Sequence, residues 1–250
     1  MGLVSVLGVF LWFVTVGTGG IRGSQDLDRS APSGAGVAVP VAEVLGISVE
    51  RGGTPARRSP VALRNSVESS VMLVEAVACG VRRQGTVTLL ATGEGPVGLT
   101  NAHVVRGARE VTLSGAGLGV VVAPVDEYLG HGDAALLDVS GTPGAEGAGL
   151  PSGPRPSVGD EVTLAGFPGG AWSTSTGEVL GWSRLALGGS PVDVFTVDVP
   201  VERGASGGVV VDTSGAAIGL VTERDPRTGA AVVQPIDLLL AQRPVAPPGC

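Results

Sequence analysis

From Asn65 onward the chain is a succession of short runs rich in β-branched residues, each closed by a turn signal. Val71–Val77, Gly85–Leu90, Val97–Thr100, Glu110–Leu113, Gly119–Val122 and Ala134–Val139 form a first series. Glu161–Ala165, Thr176–Trp182, Val192–Val199, Gly207–Val211, Ala217–Thr222 and Ala230–Gln234 form a second. Short strands at regular spacing predict an all-β sandwich or barrel. The stretch Pro143–Pro156 (PGAEGAGLPSGPRP) interrupts the series and reads as a crossing between two similar halves. Aromatic residues make up only 3% of the chain, so the core must be built mostly of Val, Leu and Ala. Ile236–Gln242 (IDLLLAQ) is the best helical stretch, and Pro244 stops it. The tail from Pro244 to Cys250 is too rich in proline to be expected in a sheet or helix.

The part before Asn65 has a different texture. Leu3–Gly17 (LVSVLGVFLWFVTVG) is an uncharged apolar run, and residues 1–21 read as a signal peptide or membrane anchor. No Lys or Arg precedes the run while Arg22 follows it, which is opposite to the usual charge bias of exported segments. Residues 22–64 are dominated by Gly, Ser, Pro, Ala and Arg and predict a flexible linker, in which Val37–Val49 is apolar enough to dock against something. A net charge of −7 and the absence of basic clusters argue against nucleic-acid binding.

Candidate chemistry centres on Gly204-Ala205-Ser206-Gly207-Gly208, a Gly-rich turn between two β-branched runs. A serine held there has an exposed hydroxyl. Glycine two residues earlier can turn its N–H toward a ligand, so the amides of Gly204 and Ser206 can converge as an oxyanion hole. A plain Gly-Ser turn is the competing reading in a chain with 42 glycines. The order of partners discriminates. A Gly-x-Ser-x-Gly nucleophile elbow needs its histidine after the serine, but His103 and His131 both precede Ser206. The subtilisin order needs an aspartate before the histidine, and only Asp26 and Asp28, in the unpatterned segment, precede His103. The order His, Asp, Ser remains, with a structured aspartate between His103 and Ser206. Asp133 stands at the mouth of an apolar strand. Asp126 and Asp160 sit in polar loops, Asp193 and Asp198 lie within or beside a strand close to the serine, and Asp138 emerges at the far end of the Asp133 strand. Two histidines without a His-Glu-x-x-His motif give too few ligands for a zinc hydrolase, and no cofactor is called for. His131 reads as an exposed loop residue.

These residues carry a family resemblance. Thr100-Asn101-Ala102-His103-Val104-Val105 resembles the histidine motif of trypsin-like proteases of the high-temperature-requirement type. Asp133-Ala134-Ala135-Leu136-Leu137 resembles their aspartate motif, and Gly204–Gly208 with Ile218-Gly219-Leu220-Val221 their serine motif and following strand. Gly166-Phe167-Pro168-Gly169-Gly170 also fits. The likeness covers roughly residues 67–242, and the chain looks most like the membrane-anchored acid-resistance periplasmic proteases of actinobacteria. It implies a chymotrypsin-type double β-barrel with residues 65–250 as the protease domain, its barrels at about 67–142 and 157–242. It further implies Ser206 as nucleophile, His103 as general base, Asp133 as its orienting acid, and the Gly204 and Ser206 amides as oxyanion hole. Pro200 and Thr222 fall at the substrate pocket. Cys79 and Cys250 match the two cysteine places of the acid-resistance group, which implies a disulfide between them and an oxidising, extracytoplasmic location.

Three departures from the wider family shape the expectations. Ala205 stands where digestive trypsins carry an aspartate that pairs with a new N-terminus, so that activation is excluded. Pro200 replaces an acid at the pocket base, so selection for Arg or Lys is not expected. Only one apolar run stands where the acid-resistance group has several, and no PDZ-like stretch follows residue 243. The expected function is that of a serine endopeptidase acting on protein or peptide substrates in the cell envelope, in protein processing or stress response. A catalytically silent, peptide-binding relative of the same fold is the alternative.

Overall fold

The computed structural model describes residues 39–48, 56–145, 147–187 and 189–250. The apolar run Leu3–Gly17 lies outside them. Among the described residues no helix is long and apolar enough to cross a membrane.

Two short helices precede the sheets: α1 at Val41–Val44 and α2 at Pro60–Glu68. Both fall within or across the expected linker, which is therefore not featureless. Ser59 caps α2 by accepting from the Ala62 amide at 3.3 Å, and Pro60 occupies the first helical position, where its missing N–H costs nothing. Val67 pins the helix by complete burial. The apolar stretch expected to dock does so through Val41 and Ile47, which are buried. The Val41 amide donates to Gln242 and the Leu45 carbonyl accepts from Gly93, so the segment ties together two distant parts of the chain.

The first barrel contains β1 (Val71–Ala78), β2 (Val81–Thr92), β3 (Gly95–Thr100), the one-turn helix α3 (Ala102–Val105), β4 (Glu110–Gly115), β5 (Gly119–Leu129) and β6 (Ala135–Leu137). Its antiparallel sheet runs β5-β4-β1-β2-β3-β6 and closes where β6 pairs back onto β5. Alternate residues of β1 point inward, so Met72, Val74 and Ala76 are buried against Val87, Leu89, Val111 and Leu113. The second barrel contains β7 (Glu161–Gly166), β8 (Ser173–Leu187), β9 (Ser190–Pro200), β10 (Val209–Val211), β11 (Ala217–Arg224) and β12 (Ala230–Pro235), closed in the order β10-β11-β12-β9-β8-β7. Its interior is Val162, Val179, Phe195, Val197, Val210, Ile218 and Val233. A third apolar cluster, including Leu90, Leu99, Leu136, Val209, Leu220 and Leu239, joins the two barrels. The crossing around residues 143–156 touches both: Leu150 bridges to Leu90 and Ser152 to Ala217. Helix α4 (Ile236–Leu240) follows the last barrel strand.

The tail departs from expectation. β13 (Pro244–Val245) pairs with Tyr128 and Leu129 at the outer side of β5. Proline is admissible there because an edge strand leaves one row of N–H groups unused, and the Arg243 carbonyl still accepts from Gly130 at 3.0 Å. Beyond β13, Cys250 is disulfide-bonded to Cys79 at the end of the β1–β2 hairpin, with the Cα atoms 5.6 Å apart. The chain that leaves the second barrel is thus fastened to the first.

Candidate active site

Helix α3 is a single turn that begins immediately after β3, with Asn101 as its N-cap residue. Val104 and Val105 anchor it by burial, which leaves His103 facing outward with 47% of its side chain exposed. Asp133 lies in the loop between β5 and β6, its carboxylate only 14% exposed. Both carboxylate oxygens are used on the histidine. Oδ1 accepts from the His103 main-chain amide at 2.8 Å, and Oδ2 is hydrogen-bonded to ring Nδ1. Holding Nδ1 in this way leaves Nε2 as the nitrogen presented to the cleft. Asp133 also acts at a distance on Tyr128. Burial pushes the Tyr128 phenol above its ordinary value, Asp133 adds to this, and the Gly107 backbone with Arg106 and Arg83 opposes it.

Ser206 sits in the turn between β9 and β10. This turn is held from the first barrel. Thr86 donates its hydroxyl to the Gly204 carbonyl at 2.8 Å, its amide to the Ser206 carbonyl at 2.7 Å, and accepts from the Phe167 amide at 3.0 Å. Thr88 donates to the Gly207 carbonyl at 3.1 Å. The approach is so close that a Cβ on Gly207, which has φ +84°, would fall 1.9 Å from the Thr86 carbonyl oxygen. Only glycine fits there.

The amides follow from the carbonyls, because a trans peptide points its N–H opposite its C=O. The Arg203 carbonyl accepts from Gly169 at 2.7 Å and the Ala205 carbonyl from Gly208 at 2.8 Å. The Gly204 and Ser206 N–H groups therefore point the other way, and neither has an acceptor among the described residues. The Ser206 hydroxyl is turned to the Thr222 carbonyl at 3.3 Å and makes no hydrogen bond to His103.

One cleft of about 860 Å³ is lined by His103, Asp133, Ser206 and Thr222. Its buried apolar lining comes from Leu187, Val201, Ala205 and Val221, and its exposed edge carries Arg106, Glu202, Arg203, Glu223 and Arg224. Of the residues expected in the substrate pocket, Thr222 lines the cleft and Pro200 does not. Pro200 is exposed at the end of β9, where strand alternation turns it away from the side that buries Val199, and Val201 takes the lining position. His131 is exposed as expected, with its ring Nδ1 3.2 Å from the Ser190 hydroxyl. Asp138 is engaged with Ser140 and lies outside the cleft lining.

Sequence reasoning misses Thr86 and Thr88. Their signal is present as two threonines at alternate positions in an otherwise apolar strand (Gly85–Leu90), which puts both hydroxyls on one face.

The fold is a double β-barrel with its candidate site in a single cleft. A profile of the trypsin-like peptidase domain matches residues 85–220, more than half of the chain and a span that includes all three candidate catalytic residues. The chain belongs to that family. The serine protease Rv3671c of Mycobacterium tuberculosis strain H37Rv is 35% identical over 132 residues, a stretch that is 49% of this chain and 32% of that protein. The match thus spans about a third of the curated relative's length. The crystal structure of the active form of the Rv3671c protease superposes with a TM-score of 0.63 at 24% identity, covering 81% of this chain and 97% of that one. An HtrA-type protease, AlgW, solved with a tripeptide, gives a TM-score of 0.63 at 22% identity, covering 73% of this chain and 62% of that one. At these identities the two structures speak to the fold.

Proposed function

We propose that the protein is a serine endopeptidase in which Ser206, His103 and Asp133 form the catalytic triad. The observation that carries it is the Asp133 carboxylate gripping both the main chain and the ring of His103, in the cleft that also holds Ser206. The mechanism requires the Ser206 hydroxyl to leave the Thr222 carbonyl and donate to His103 Nε2. As Oγ attacks the scissile carbonyl carbon, its proton passes to Nε2, and Asp133 stabilises the imidazolium that forms. The developing oxyanion is met by the Gly204 and Ser206 amides. Collapse breaks the C–N bond and the imidazolium protonates the leaving amine. A water molecule, deprotonated by His103, then hydrolyses the acyl-enzyme and restores Ser206.

The substrates are proteins or peptides. The buried apolar lining of Leu187, Val201 and Val221 supports a preference for uncharged residues before the scissile bond. A positional peptide library with dominant Arg or Lys selection would overturn that preference. The Cys79–Cys250 bridge supports an oxidising, extracytoplasmic location, with the N-terminal apolar run as export signal or anchor. A role in envelope protein processing or stress response follows from that location.

A silent, peptide-binding relative is the second reading, and one observation favours it: the Ser206 hydroxyl is engaged with Thr222 rather than His103. A fluorophosphonate probe separates the two. Labelling of the parent but not of Ser206→Ala is expected; an unlabelled parent that still binds peptides would leave only the binding function.

A further inference from the structure

Gln234 belongs to the second barrel, yet its side chain serves the first. Every residue of β12 is buried, and Gln234 itself is 2% exposed. A carboxamide in such a place is costly unless its groups are paired. Here they are paired with the candidate acid. Oε1 accepts from the Asp133 amide at 3.3 Å, and Nε2 donates to the Asp133 carbonyl at 3.4 Å and to the Thr222 hydroxyl at 2.7 Å. One side chain therefore meets both main-chain groups of Asp133. The loop admits it only because residue 132 is glycine: Gly132 has φ +93°, and a Cβ there would fall 2.3 Å from Gln234 Oε1. Asn101, fully buried at the start of α3, supports the same Asp133 carbonyl at 2.7 Å. Thr222, on the other side of Gln234, is the residue whose carbonyl receives the Ser206 hydroxyl.

We propose that Gln234 is a positioning residue that fixes the Asp133 loop of the first barrel against Thr222 of the second, and so sets the alignment of His103 with Ser206. The assignment rests on the triad reading above. It differs from a packing role in what it requires. The amide acts on Asp133, so its removal should act on turnover through Asp133; Thr222, which it also meets, is held in place by its strand β11, so substrate binding should change little.

The test uses the full chain with two substitutions. Gln234→Met keeps the volume and removes the amide. Gln234→Glu keeps an acceptor for the Asp133 amide and loses the Nε2 donor. With an activated ester substrate, Gln234→Met is expected to lower kcat about tenfold to a hundredfold and to leave KM within about twofold, as misplacement of a catalytic group by a fraction of an ångström does. In an Asp133→Asn background the same change should cost less than about twofold, because residues acting through one another are not additive. An unchanged kcat in Gln234→Met, or an equal fold-loss in both backgrounds, would overturn the assignment. Where Gln234→Met does not fold, Gln234→Glu is carried through the same cycle with the same criteria. Labelling of the parent at Ser206 is the control. Its absence would overturn the protease reading and this assignment together, whereas a labelled parent with an unaffected Gln234 variant overturns only the assignment.

Discussion

The two barrels contribute to the cleft in different ways. In the first, the base and acid are 30 residues apart and are joined by two hydrogen bonds made within that barrel. The second barrel meets this pair only at the Asp133 main chain, through Gln234 of β12. In the second, the nucleophile turn is held by threonines 118 and 119 residues away in sequence, on β2 of the first barrel. The second barrel is also the one with the long β8–β9 hairpin, and its tail is fastened to the first by β13 and the Cys79–Cys250 bridge. The acid–base pair is thus a local construction, and the setting of the serine is a property of how the barrels seat on each other. Damage to the first should abolish chemistry at one point. Damage to the seam should weaken it by degrees, according to how far the serine turn shifts from His103.

The largest effect is expected within the local pair. Asp133→Asn should lower turnover about 10⁴-fold at neutral pH, because the imidazole tautomer is no longer held with Nε2 as acceptor. The fold should survive, since the amide can still accept from the His103 main chain. Steady-state kinetics with circular dichroism would check it, and a loss of less than tenfold would remove Asp133 from the triad.

A smaller effect is expected at the seam. Thr86→Val preserves the shape of the buried Thr86 but leaves the half-buried Gly204 carbonyl and Phe167 amide without their partner. Each such orphan costs about 1–3 kcal/mol. Urea denaturation should show a loss of about 2–6 kcal/mol for the two together, toward the lower end because both groups are half-buried, and probe labelling of Ser206 should slow about tenfold, with His103 and Asp133 untouched. A destabilised variant that labels as fast as the parent would mean that the turn holds itself, and the contrast between the barrels would fall.

This contrast also governs what could be read from the chain. Thr100–Val105, Asp133–Leu137 and Gly204–Gly208 were legible because each packs a reacting residue and its immediate supports into a few consecutive positions. The strands were legible for the same local reason, through β-branched runs and turn residues. Gln234 was not, because a glutamine at the end of an apolar strand discloses its purpose only when Asp133 and Thr222 arrive beside it. The resemblance puts Pro200 at the pocket base, but the pleat of β9 turns it outward and Val201 lines the cleft instead. The prolines of the tail argue against a strand, but the open side of β5 gives Pro244 and Val245 a place. Helix α2 was hidden because Ser59 and Pro60 look like linker residues until Val67 finds its pocket.

The smallest effect tests whether Asp133 is chosen correctly over the acid at the other end of its strand. Asp138 is committed elsewhere: its carboxylate accepts from the Ser140 hydroxyl at 2.7 Å and the Ser140 amide at 2.9 Å. The hydroxyl first, and then the amide, hold its pKa below the ordinary carboxylate value, against a small opposing effect of burial. A carboxyl whose folded pKa is lowered contributes stability that is present above its unfolded value and is lost as pH falls through the folded one. Asp138→Asn should therefore leave turnover within about twofold of the parent, because surface changes away from the site carry little weight. It should remove a small increment of thermal stability at neutral pH, and the difference between parent and variant melting temperatures should shrink as the pH is lowered past the carboxylate range. A loss of turnover matching that of Asp133→Asn would transfer the acid's role to Asp138 and undo the local construction on which the comparison of the barrels depends.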